Sequence, residues 1–187
     1  MKPKIKTLKI CQLLIGQYVP PSKDGHAGRY TEHMLESAGF TMNRGHGPDI
    51  LPFDLEVKTR DLDATSPQTI ADMSLEEIVS TPYNKSHVHD KFQQQLRVYI
   101  KDQVIVSADI YDFSLPRIQR VVEDAYEHAR RQLIEKPWLE ATSCKGKYHG
   151  YFEKCAGKQS YSFRLSTTHM TDLENMATSN FDNIFEF

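Results

Sequence analysis

The residues that could do chemistry are concentrated in Gly47-Pro48-Asp49-Ile50-Leu51-Pro52-Phe53-Asp54-Leu55-Glu56-Val57-Lys58. Side chains on a strand repeat every two residues, so Glu56 and Lys58 share one face and Val57 turns to the core. Mg²⁺ takes oxygen ligands, usually one or two carboxylates, and leaves its other positions to water and phosphate oxygens. Asp49 and Glu56 suit that role. A lysine beside a metal-bound water favours its deprotonated form and stabilises charge building on a phosphate, which is the task Lys58 could take. The chemistry this set could perform is attack of water on phosphorus.

Glu56-x-Lys58 alone is weak. Average usage of charged residues gives about one acid-x-Lys tripeptide by chance in a chain of this size, and the chain contains one. A solvated strand face is the plain alternative. The surrounding residues have to decide.

Upstream lies a glycine-led segment with helical character, Gly28-Arg29-Tyr30-Thr31-Glu32-His33-Met34-Leu35-Glu36. Glu56 follows Asp49 by seven residues and Lys58 follows Glu56 by two. Downstream, Ser86-His87-Val88-His89-Asp90-Lys91-Phe92 leads into the apolar run Leu96-Arg97-Val98-Tyr99-Ile100. This set resembles the MutH-type branch of the PD-(D/E)xK nucleases, which includes a mismatch-repair nickase and restriction endonucleases. In that branch a helical Glu precedes an Asp that is followed seven positions later by Glu-x-Lys, and a Ser-His-x-x-x-Lys segment brings a second lysine. The resemblance covers about residues 25 to 170 and is strongest from Gly28 to Ile100.

The resemblance implies catalytic roles for Asp49, Glu56, Lys58, Glu32 and Lys91, and a metal site made by Asp49, Glu56 and Val57. Glu32 would support the carboxylates or a second metal, and Lys91 would contact the scissile phosphate. Mg²⁺ is the expected cofactor, with Mn²⁺ substituting. The expected activity is sequence-specific cleavage of double-stranded DNA, leaving 5′-phosphate and 3′-hydroxyl ends. A partner-activated strand-nicking nuclease and a catalytically silent DNA-binding module are the alternatives. Tyr161-Ser162-Phe163-Arg164-Leu165 is similar to the segment that senses adenine methylation in the family's nickase. Arg164 stands where that enzyme has a tyrosine, so methyl sensing does not carry over.

A net charge of −2 on 187 residues argues against indiscriminate coating of nucleic acid, so any DNA contact must be local. Lys2, Lys4, Lys6 and Lys9 crowd the N-terminus. Lys145, Lys147, Lys154, Lys158 and Arg164 alternate with aromatic residues, as DNA-binding residues would. They are equally what the wet side of a small hairpin would carry. A homodimer would place one active site on each strand of a palindrome. The acidic, aromatic end at 178–187 is a candidate docking segment for a protein partner.

No run of about eighteen apolar residues suggests a membrane span. Neither a signal peptide nor a disulfide framework is apparent, the three cysteines being Cys11, Cys144 and Cys155. The expected location is therefore the cytoplasm. Zinc on Cys144, His149, Cys155 and His169 is disfavoured because no close Cys-x-x-Cys pair exists.

The elements that must position these residues follow from periodicity. A helix is expected over 6–17, ended by Pro20 and Pro21, and a second one carrying Glu32 and stopping at Gly39. Strands are expected at 49–52, 55–60, 96–101 and 104–111, with a loop from Thr59 to Met73. A long helix starts near Ser114-Pro116 with a buried stripe of Ile118, Val122, Ala125, Ala129 and Leu133. The expected class is α/β. The architecture is of restriction-endonuclease type, a central mixed sheet flanked by helices with an added β-rich C-terminal part. One nuclease domain is expected over 1–177, with a catalytic core at about 25–135 and a DNA-recognition part at about 138–170.

Overall fold

The structure, a computed structural model, describes residues 10–21, 26–44, 48–51, 53–135 and 150–178. The chain divides into two units, each built from separate stretches of sequence. The first takes Met1–Ala64 and Gln93–Asp112, the second Thr65–Phe92 and Phe113–Phe187. Helices and strands are mixed in both, as the α/β class requires.

The first unit is organised around a five-stranded mixed sheet. Helix α1 (His26–Ser37) is followed by β1 (Thr41–Met42), β2 (Ile50–Leu51) and β3 (Leu55–Asp61), with β5 (Gln94–Lys101) and β6 (Val104–Asp112) coming later in sequence. Their order across the sheet is β1-β2-β3-β5-β6. The first three strands form an antiparallel meander, β5 runs parallel to β3, and β6 returns antiparallel. Alternation then sorts the side chains. Leu55 and Val57 of β3, Leu96 and Val98 of β5, and Ala108 of β6 join Leu35 of α1 in one apolar cluster. The residues between them on β3 and β5, Glu56, Lys58, Gln95 and Arg97, are therefore displayed on the opposite face.

Turn chemistry fixes the register that makes this sorting work. Asp102 and Gln103, between β5 and β6, both have positive φ, 49° and 64°. Such a two-residue turn matches the right-handed twist of the strands it joins. Helix α1 closes where Gly39 takes φ of 89° and the Phe40 amide donates to the Leu35 carbonyl at 3.0 Å. A left-handed residue just past the helix satisfies carbonyls that would otherwise lack partners.

The N-terminal helix is shorter at its end than the spacing predicts. It occupies 10–14 among the described residues and gives way at Gly16, whose φ is 84°. From there the backbone runs beside the edge of β6, with the Gly16 amide donating to Ile105 at 2.8 Å and the Val19 amide to Gln103 at 2.7 Å. Glycine at positive φ ends the helix before the prolines are reached.

The second unit contains β4 (Gln68–Ser74), α2 (Leu75–Ser80), a 3₁₀ turn at Tyr83–Lys85, and α3 (His87–Lys91). Helix α4 (Pro116–Glu135), β7 (Gly150–Lys154), β8 (Ser160–Leu165) and α5 (Thr167–Thr178) complete it. Its sheet is antiparallel in the order β4-β8-β7. The expected loop from Thr59 to Met73 is thus corrected, because both of its ends lie in strands. The alternation of β4 was hidden by an irregularity between Thr69 and Ala71, which puts Ile70 and Ala71 both in the interior.

Helix α4 buries Ile118, Val122, Tyr126, Ala129 and Leu133. Tyr126, rather than the expected Ala125, sits at the centre of the stripe. Its ring meets Phe152 and Phe163 at centroid separations of 5.6 Å each, and those two rings are 5.3 Å apart. Gly150 is required beside them, since a Cβ there would lie 2.9 Å from the Phe163 ring.

Burial within this unit has a consequence at high pH. The Tyr126 hydroxyl donates to the Thr81 carbonyl at 3.1 Å, and burial pushes its pKa up to about 12. Tyr83, donating to Gln119 at 2.9 Å, is also pushed up by burial and by the charge of Glu123. An unfolded tyrosine ionises near pH ~10. Above that value the unfolded chain releases protons that the fold retains. Stability present below about pH 10 is therefore lost progressively toward about pH 12. The thermal midpoint is expected to fall across this window, less steeply in Tyr126→Phe. A midpoint equally steep in that variant would contradict the assignment.

Candidate active site

The site is built on the hairpin of β2 and β3. Asp49 stands just before β2, held by its own carbonyl, which accepts from the Asn43 amide at 2.7 Å. The Asn43 side chain donates to the neighbouring Pro48 carbonyl at 3.1 Å. The chain then reverses through Asp54, which takes φ of 50°, a conformation that Asp tolerates better than most residues. This reversal returns β3 alongside Asp49, and Asp49 Oδ2 accepts a hydrogen bond from the Val57 amide at 2.8 Å. Asp49 is thereby drawn to the stretch of backbone between Glu56 and Lys58.

Glu56 is buried, its side chain only 2% exposed, and Lys58 Nζ lies 2.8 Å from its Oε1. A carboxylate so far removed from water is costly unless it is paired, and Lys58 is that pair. The same face continues on β5, where Glu56 is in register with Gln95 and Lys58 with Arg97. Gln95 and Arg97 are both buried. Arg97 Nη1 donates to Gln95 Oε1 at 3.1 Å and Arg97 Nε to the Tyr99 hydroxyl at 3.2 Å. The guanidinium also stands 5.9 Å from the Tyr99 ring centroid. Sequence reasoning missed this half of the face. Its signal was present in the polar residues Gln95, Arg97 and Tyr99 at every second position of β5.

Helix α1 is tied to β3 through the other face. Thr59 Oγ1 donates to Thr31 Oγ1 at 3.1 Å, and Thr31 in turn donates to the Ala27 carbonyl at 3.0 Å. Glu32, the next residue of α1, has its carboxylate 3.5 Å from Arg44 Nη1, and Arg44 also pairs with Glu36. Among the described residues no group of three or more His, Cys, Asp or Glu side chains is arranged to hold a metal ion. Glu32, Asp49 and Glu56 are thus not a three-carboxylate cage.

The remaining candidates belong to the second unit. Ser86 of the Ser-His-x-x-x-Lys segment caps α3, accepting from the His89 amide at 3.3 Å, and Lys91 is the last residue of that helix. Lys154 and Lys158 are exposed at the turn joining β7 and β8. Arg164 Nη1 is instead engaged by Glu153 Oε2 at 2.8 Å, a pairing across the β7–β8 ladder. Lys145, Lys147, Cys144, His149, the N-terminal lysines and residues 179–187 of the acidic tail lie outside the described residues. Cys155 is 3.2 Å from Ser162 Oγ. No helix among the described residues is long and apolar enough to cross a membrane. Compared with models of known protein families and with curated proteins, the chain matches none.

Proposed function

We propose that this protein is a divalent-metal-dependent deoxyribonuclease, specifically a sequence-specific double-strand endonuclease of the PD-(D/E)xK kind. The observation that carries this reading is the seating of Asp49 on the Val57 amide, which brings it to the strand segment where Glu56 and Lys58 form their ion pair. The antiparallel meander followed by a parallel strand supports a restriction-endonuclase-type sheet around them.

The donor set suits a hard cation. Asp49 and Glu56 offer carboxylate oxygens, and Val57 can offer only its main-chain carbonyl. With water and phosphate oxygens completing the shell, that set fits Mg²⁺ and also Mn²⁺. Bound there, the ion would acidify a water and polarise the phosphate. The chain's own residues account for the rest. The Val57 amide fixes Asp49, Glu56 is held by Lys58, and the Lys58 ammonium places positive charge where the phosphate gains negative charge. Exposed Lys154 and Lys158 could neutralise DNA phosphates. Glu32 and Lys91 enter this reading through the resemblance alone.

Supercoiled plasmid incubated with the protein and Mg²⁺ is expected to yield discrete linear fragments carrying 5′-phosphate and 3′-hydroxyl ends. Open circles as the sole product would favour the partner-activated nicking reading. Retention of DNA with no cutting under any divalent cation would favour the silent binding module.

A further inference from the structure

We propose that Gln95 is a positioning residue for Glu56, donating its side-chain amide to the Glu56 carboxylate, and that Arg97 fixes which way round that amide stands. The proposal rests on the metal-site reading of Glu56. It starts from register, which sets Gln95 beside Glu56 and Arg97 beside Lys58 on adjacent parallel strands. Strands so paired are about 4.8 Å apart, and paired residues point to the same face.

Hydrogen-bond inventory supplies the direction. A guanidinium only donates, so the atom of Gln95 facing Arg97 Nη1 at 3.1 Å must be the amide oxygen. The amide nitrogen, with two N–H donors, then leaves from the other branch of the side chain. An ionised carboxylate only accepts and has about four lone-pair sites. Lys58 supplies one donor to Glu56 at 2.8 Å. Glu56 is buried, and a buried carboxylate is stabilised by accepting from more than one donor. The opposite flip would set a carbonyl dipole against that carboxylate and leave Arg97 facing an NH₂ group. Arg97, itself held by the Tyr99 hydroxyl and ring, excludes that arrangement.

Glu56 has both to pair with Lys58 and to present an oxygen to a cation. A donor from the neighbouring strand would hold its plane in the orientation that does both. Removing a partner of this kind behind a metal ligand typically changes metal affinity or activity by about 10- to 100-fold.

The test uses the full chain and Mn²⁺ alone as the probe. Gln95→Met keeps the volume and removes the amide. It is expected to weaken Mn²⁺ binding, measured by electron paramagnetic resonance, by about 10-fold or more. In cleavage assays the Mg²⁺ concentration for half-maximal rate should rise by a similar factor, while KM for DNA stays unchanged. A structural role alone would lower the melting temperature without moving the metal dependence. In the wild-type protein the Gln95 side-chain amide resonance should broaden as Mn²⁺ is added, a readout available even if the variant does not fold. Unchanged Mn²⁺ affinity in folded Gln95→Met, or a Gln95 resonance indifferent to Mn²⁺, would overturn the proposal. Mn²⁺ binding with these Gln95 effects but no DNA cleavage would sustain it and reject the nuclease reading. No Mn²⁺ binding by wild type would overturn both.

Discussion

Lys58→Met is expected to lower Mg²⁺-dependent DNA cleavage by about 10²- to 10³-fold, the range observed when a group aimed at transition-state charge is removed. The same change should also destabilise the protein. Glu56 is 2% exposed and Lys58 20% exposed, so removing the lysine leaves a carboxylate without its cation in a nearly dry environment. Breaking a buried pair from one side costs on the order of 3–5 kcal/mol, and the partial exposure of Lys58 argues for the lower end. Neutralising both members removes the uncompensated charge. Glu56→Gln combined with Lys58→Met should therefore recover most of the lost stability in a denaturant titration and remain inactive. That split separates chemistry from folding. Recovery of activity in the double variant, or full activity in Lys58→Met, would contradict the role given to this pair.

Phe163→Ala is expected to be the most damaging single truncation in the second unit. Phe163 is fully buried on β8, meets Tyr126 at 5.6 Å and Phe152 at 5.3 Å, and closes over Gly150. Its removal opens a cavity lined by two rings that cannot collapse without moving α4 away from the sheet. Such changes cost about 3–5 kcal/mol. For a chain of this size each kcal/mol lowers the melting temperature by about 2–4 °C, so a fall of roughly 6–20 °C should be seen by calorimetry. Ser162→Ala, one residue away, removes a side chain that instead donates to Asp72 at 2.5 Å. Its cost should be about 1.5 kcal/mol, the low end for a hydrogen bond to a charged group, because Asp72 is exposed. Equal losses in the two variants would show that the ring cluster is not the core of this unit.

The elements most legible in the sequence were those whose local pattern agrees with their packing. The β5–β6 hairpin was read correctly because apolar alternation and the Asp102-Gln103 turn point to one register. Helix α4 was legible through its stripe, although Tyr126 displaced Ala125 because an aromatic ring could reach Phe152 and Phe163 on other elements. Strand β4 was missed because its irregularity breaks the two-residue period. The first helix was overextended because the prolines outweighed Gly16, whose positive φ ends it earlier.

At the site, spacing put Glu56 and Lys58 on one strand face, and their ion pair agrees with that. The hydrogen bond from the Val57 amide to Asp49 could not be read, since a backbone donor carries no mark in the sequence. Gln95 and Arg97 were overlooked because their strand was recognised by its apolar half. Arg164, grouped with the DNA-binding candidates, also pairs with Glu153, a contact that follows from the register of β7 and β8. The partners of Asp49 and Arg164 lie on other strands, which local pattern does not reveal, whereas the Gln95, Arg97 and Tyr99 run is local to β5.

Asp49, Glu56 and Lys58 are proposed to form one metal-dependent hydrolytic centre. This is tested most directly by a plasmid-cleavage time course with wild-type protein in Mg²⁺, in excess EDTA, and with Asp49→Asn, Glu56→Gln and Lys58→Ala, each verified as folded. Cutting by wild type in Mg²⁺ alone, lost in EDTA and in all three variants, is the predicted result. Cutting that survives Lys58→Ala or EDTA, or a wild type that cuts no DNA, would contradict it.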